Sequence, residues 1–112
     1  MPATDDSPVP GEEQHRQRLR ADFHAQTALI PFAELQRFFA AGRLVCVAAD
    51  LDLVGVAVEL ARDNRERFEA WVAAGVVEGV SDALAQRWLA EERSLWAVVA
   101  EPWVLVQERV SG

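Results

Sequence analysis

The sequence predicts an α+β domain of about five helices packed on a small sheet of three or four strands. Three observations carry that expectation. Helix-spaced apolar residues alternate with short β-branched runs, glycine and proline stand at the joints, and there is apolar mass for one core. Of the 112 residues 51% are hydrophobic, and the 15 Val, 11 Leu, 5 Phe and 1 Ile exceed the roughly one-fifth share below which a charged chain stays unfolded.

Residues 1 to 11, with three prolines, two aspartates and Gly11, read as a mobile tail, which leaves residues 12 to 110 as a single globular domain. Leu19, Phe23, Thr27 and Ile30 are spaced by four, four and three, which predicts one stripe on a first helix that Pro31 stops. Pro31 also opens a second helix, with Phe32, Leu35, Phe38 and Phe39 on one side and Gly42 as the left-handed residue past its end. Arg43 to Ala49 is apolar on both alternating faces and reads as a strand covered on both sides.

From Leu53 to Arg62 the chain is apolar nearly all round, the mark of the most buried helix, and Gly55 inside it implies a close backbone neighbour. Helix four spans about Arg65 to Ala74, with Phe68, Trp71 and Val72 inward and Gly75 as its stop. After a short extended piece, Val76 to Val80, Ser81 is a good N-cap for a fifth helix whose buried stripe is Leu84, Ala85, Trp88 and Leu89. Two β-rich runs, Leu95 to Ala100 and Trp103 to Gln107, close the fold and meet at Glu101-Pro102, either as a tight hairpin or as one strand bent at the proline.

What is missing excludes more than what is present suggests. All 11 basic residues are Arg, so every mechanism that needs a lysine amine is out: the P-loop, the kinase lysine, the Schiff base. One Cys and two His cannot supply the three or four N/S ligands of a zinc site, so no metal and no cofactor is expected. Cys46, within an apolar run, reads as an inert core thiol. The acidic start lacks a secretory pattern, and a reducing cytoplasm is the expected compartment. In the most membrane-like window, Leu44 to Ala61, Asp50 and Asp52 would each cost on the order of 3 kcal/mol at bilayer centre, so no membrane association is expected. A net charge of −7 argues against nucleic acid, and the cluster Arg16, Arg18 and Arg20 is flanked by Glu12, Glu13 and Asp22. Arg without Lys, with 19 Ala, suggests a GC-rich bacterial genome.

Several residues invite a functional reading beside a plainer one. Asp50 and Asp52 form a D-x-D pair at a strand end, where α/β proteins hold ligands or a divalent cation; the plainer role is capping of the helix that follows. Ser81 in Gly79-Val80-Ser81-Asp82-Ala83 imitates a nucleophile elbow, but the last glycine is absent and both histidines, His15 and His24, precede it. Those histidines lie nine residues apart and face away from each other on a continuous helix. A winged-helix reading would make Asp82 to Glu92 the recognition helix, but its outward face has Arg87 as the one cation beside Asp82 and Glu91, and such a face repels phosphate more than it holds it. Trp71, Trp88, Trp96 and Trp103 are core candidates by default, but Trp96 and Trp103 flank the proline-broken β segment, so Trp96, Pro102 and Trp103 are the candidate interface.

The strings IPFAELQRFFAAG, LDLVGVAVELARDN, VSDALAQRW and LWAVVAEPWVLVQE, taken in this order over about residues 19 to 108, resemble a family of small bacterial proteins, domain-of-unknown-function family 2288. The resemblance implies a shared fold and a bacterial source, and it supplies no activity. The family pattern has Glu more often than Gln26 and Glu more often than Gly55, which puts a carboxylate role at either position in doubt. Without a nucleophile–base pair or ligand cluster, the leading expectation is a non-catalytic module that binds another protein or pairs with itself as a homodimer. The competing one is a small-ligand or divalent-cation binding enzyme that uses Asp50 and Asp52, with Glu34 or Glu59.

Overall fold

The computed structural model describes residues 10–108, so the first nine residues of the expected tail lie outside the described part. Among the described residues, five helices and five strands form one unit in the order α1 (Pro10–Gln26), β1 (Ala28–Pro31), a 3₁₀ turn (Phe32–Leu35) running into α2 (Gln36–Ala40), β2 (Leu44–Val47), α3 (Leu53–Ala61), α4 (Arg65–Ala73), β3 (Val77–Gly79), α5 (Asp82–Ala90), β4 (Ser94–Ala100) and β5 (Trp103–Glu108). The sheet order is β1-β4-β5-β2-β3; β5 and β2 run parallel and every other pair is antiparallel.

The sheet has five strands, one more than the sequence reading allows, and the extra one is β1. Thr27 ends α1 instead of continuing it: its N–H and Oγ1 both donate to the Phe23 carbonyl, at 2.9 and 2.7 Å. The stripe read through Leu19, Phe23, Thr27 and Ile30 is therefore not one face of one helix. Phe23 packs on one side of the sheet and Ile30 on the other. Four residues of extended chain are enough to cross from side to side, because successive side chains on a strand point to opposite faces.

That alternation builds two cores. Leu44, Val104, Val106, Leu95 and Ala97 face Phe32, Leu35, Ala85 and Trp88 on the side of α2 and α5. Val45, Val47, Leu105, Val98 and Ala100 face Leu53, Val56 and Ala57 on the other side, where Phe23, Phe68 and Trp71 of α1 and α4 join them. A strand run with both faces covered needs apolar residues at every position, as Leu44–Val47 and Val104–Val106 show. α3 is the most buried helix, as its composition requires, with Val56 and Ala57 at 0% exposure.

Four helices end in the same motif. The residue past the cap is left-handed at Gly42 (φ 73°), Asp63 (φ 58°), Gly75 (φ 76°) and Glu92 (φ 51°), and its N–H bonds back to Phe39, Leu60, Val72 and Leu89 respectively. The two glycines are legible in the sequence; the two acids stand where an L-residue is strained. Ser81 caps α5 by accepting from the Leu84 N–H at 3.1 Å. Glu101 and Pro102 form the tight hairpin turn, with a cis peptide bond between them and Ala100 opposite Trp103.

Two residues expected inward face solvent, and one glycine has a different neighbour from the one expected. Val72 on α4 and Leu89 on α5 are 48% and 45% exposed, because each short helix lays only part of its stripe on the sheet. At Gly55 the nearest neighbour is a side chain and not the backbone expected: a Cβ there would meet Asp52, 2.9 Å from its Oδ2.

Candidate functional site

The loop that carries Asp50 and Asp52 is fixed from across the sheet. Gln107, near the end of β5, donates through Nε2 to the carbonyls of Ala48 and Leu51 at 2.8 and 2.6 Å. The Ala48 carbonyl also accepts from the Leu51 N–H at 3.0 Å, so the Gln107 amide and this turn together fix the loop that leads into α3. Asp52 occupies the N-cap position of α3, but its side chain makes no capping bond. Its Oδ2 instead accepts from the Arg20 guanidinium of α1 at 2.7 Å, in the space that Gly55 leaves open. Both side chains are more than half exposed, so the pair contributes at most about 1 kcal/mol and orients α1 on α3. Asp50 is exposed. Among the described residues no three of His, Cys, Asp and Glu gather as a cation would require, and the acids named beside the pair are elsewhere. Glu34 is exposed on the 3₁₀ turn, and Glu59 accepts from Arg62 and Asn64 at 3.2 and 3.0 Å near the end of α3.

Ser81 is spent on its cap, and His15 and His24 are exposed on α1, so the elbow has a serine and no base. Cys46, on β2, is half-buried and its thiol is pushed up to about 11, first by burial and then by the charges of Glu108 and Glu78, so it stays protonated and inert near neutrality.

The candidate interface residues separate into two places. Trp96 and Trp103 stand four positions apart on the β4–β5 ladder, since Trp96 faces Gln107 and Trp103 faces Ala100. Trp96, 39% exposed, is the cross-strand partner of Leu29, 37% exposed, on β1. The pair forms an apolar strip across β1, the outermost strand, and β4 beside it, and Leu29 carries no sequence signal because the run ALIP reads as the end of a helix. Trp103 and Pro102 instead form one wall of a groove of about 410 Å³, with Leu60 of α3 and Phe68 of α4 opposite. Asp63, Arg65, Glu69 and Glu101 stand around it. Trp71 is partly buried, with the Arg67 guanidinium 5.3 Å from its ring centre. Trp88 is fully buried, 5.6 Å from the Phe32 ring, and its indole N–H has no acceptor.

A family described as protein of unknown function (DUF2288) matches residues 18–108. The solution NMR structure of PA1075 from Pseudomonas aeruginosa is similar at 41% identity, with a TM-score of 0.72 over 94% of each chain. None of the curated proteins compared with the chain matches it.

Proposed function

The chain belongs to the family of proteins of unknown function DUF2288, and from that premise we propose a non-catalytic module that associates with a second copy of itself through the edge strand β1. The observation that carries this reading is the edge itself: Ala28, Leu29, Ile30 and Pro31 hold no charge, and Leu29 lies beside Trp96 in a strip that is more than one-third exposed. Unpaired edges are ordinarily blunted by short length, proline, charged side chains, bulges or covering loops, because an open row of N–H and C=O groups recruits another strand; β1 has only its four-residue length and a terminal Pro31, and no charge.

The ladder fixes which groups point outward. The Phe32 N–H donates to the Arg93 carbonyl at 2.9 Å, so by antiparallel alternation Ile30 and Ala28 exchange bonds with β4 while Leu29 presents its N–H and C=O to the open side. A second β1, antiparallel and centred on Leu29, would exchange two backbone bonds there. It would also set the two leucines side by side between the two Trp96 rings. A two-fold axis through that point makes the contact self-complementary, as a closed dimer requires. No helix among the described residues is long and apolar enough to cross a membrane. The reading of Asp50 and Asp52 as cation ligands has less support, because Asp52 is already held by Arg20.

Sedimentation equilibrium tests the proposal. The chain is expected to be a dimer at micromolar concentration and Ala28→Glu, an exposed position, a folded monomer. A monomer at all concentrations, or a dimer that Ala28→Glu leaves intact, contradicts it.

A further inference from the structure

We propose that the groove between the β4–β5 turn and the α3–α4 junction is a binding site for a small organic cation, an ammonium or guanidinium on an apolar stem. The proposal is independent of self-association, because the groove lies at the opposite end of the hairpin from the Leu29–Trp96 strip.

Volume, wall chemistry and charge agree. At about 410 Å³ the space is of the size that takes a small molecule. Trp103 and Phe68 are both half-buried, which leaves part of each ring exposed, and Leu60 and Pro102 complete an apolar wall for a hydrocarbon stem. Asp63, Glu69 and Glu101 outnumber Arg65 three to one at the rim, so the groove carries a negative excess. Arg65 reaches Asp63 at 3.6 Å, with both side chains more than four-fifths exposed. Glu69 and Glu101 have no ion pair or hydrogen-bond partner among the described residues.

The neighbouring indole shows the complement. Trp71 has the guanidinium of Arg67 on its ring at 5.3 Å, and Phe38 has that of Arg37 at 4.8 Å. Trp103 and Phe68 are aromatic surfaces of the same kind, with carboxylates beside them and no cation of this chain over either ring among the described residues. A ligand cation would gain the attraction of the ring face and of Glu69 and Glu101 together, and an anion would meet three carboxylates.

The test follows the Trp103 indole N–H by NMR during titration with agmatine, which carries a guanidinium and an ammonium on a four-carbon stem. Saturable shifts at Trp103, with Trp88 and Trp96 unmoved, and a Kd of about 1 mM or tighter are expected at low salt. Glu101→Gln and Glu69→Gln, both on exposed positions, should each weaken binding about threefold to tenfold, and Glu91→Gln, outside the groove, should not. The proposal is overturned by no shift at millimolar agmatine, by an equal response to neutral 3-methyl-1-butanol, or by undiminished binding in both glutamate variants. Tighter binding of the peptide Gly-Gly-Arg-Gly-Gly than of agmatine overturns it as well, since the source would then be a protein side chain.

Discussion

At one edge of the sheet β3 presents three residues, of which Glu78 and Gly79 are exposed and only Val77 is buried, at 0% exposure. At the other edge β1 presents Ala28 and Leu29 exposed, with no charge and with a proline only at its last position. The difference teaches that the two edges solve different problems. β3 is short, charged and anchored by one deep side chain, which is how an edge is kept from recruiting another strand. β1 has its side chains half outside the core and its next-door neighbour Trp96 exposed, which suits a strand completed by something else.

The largest expected effect breaks the β3 anchor. Val77→Ala should lower the unfolding free energy by about 2 kcal/mol in urea melts, since it removes two methyl groups from a sealed site. Leu29→Ala, measured at concentrations where the chain is monomeric, should cost about half as much or less, because more than one-third of that side chain is already in water. Equal losses at the two positions would mean that the edges are anchored alike.

The chain entries to the two edge regions differ in the same direction. α4 hands over to β3 through Gly75 at φ 76°, whereas α5 hands over to β4, the strand that β1 leans on, through Glu92 at φ 51°. Gly75→Ala should destabilise by about 1 kcal/mol, and Glu92→Gly should stabilise by up to about 1 kcal/mol, both read from thermal and urea melts. If Glu92→Gly destabilises, the glutamate side chain is holding something that its open surroundings do not reveal.

The smallest effect reads the β3 edge from beneath. Cys46 is the cross-strand partner of Glu78, and its thiol is pushed up to about 11 mainly by burial, with Glu108 and then Glu78 adding to it. Maleimide labelling of the folded chain should therefore be slow at neutral pH and accelerate as the pH rises toward that value, because only the thiolate reacts. Glu78→Gln should raise the rate slightly, and less than partial unfolding in urea does, since burial is the larger cause. Rapid labelling at neutral pH would show that β3 opens readily.

The parts of the fold legible in the sequence are those decided locally. β2, β4 and β5 follow from short, valine-rich apolar runs, Ser81 from its capping position, and the ends of α2 and α4 from Gly42 and Gly75. β1 was hidden because Phe23, Thr27 and Ile30 keep helical spacing while Phe23 and Ile30 serve opposite faces of the sheet, a fact set by the position of the sheet and not by the segment. Asp63 and Glu92 end helices without the glycine that would announce it. Trp96, Pro102 and Trp103 could be singled out as exposed candidates, but their division between an edge strip and a groove depends on register. Leu60, Phe68 and Glu69 meet Trp103 only because β4 and β5 run back beneath α3 and α4, and no spacing in the chain encodes that meeting.

Whether β1 meets a second copy of itself is read most directly from amide hydrogen exchange at Leu29. Its N–H is expected to exchange freely in dilute solution and to become protected as the concentration rises, while the amides of Ile30 and Ala28, bonded to β4, stay protected throughout. Exchange at Leu29 that is equally fast at every concentration would contradict the account.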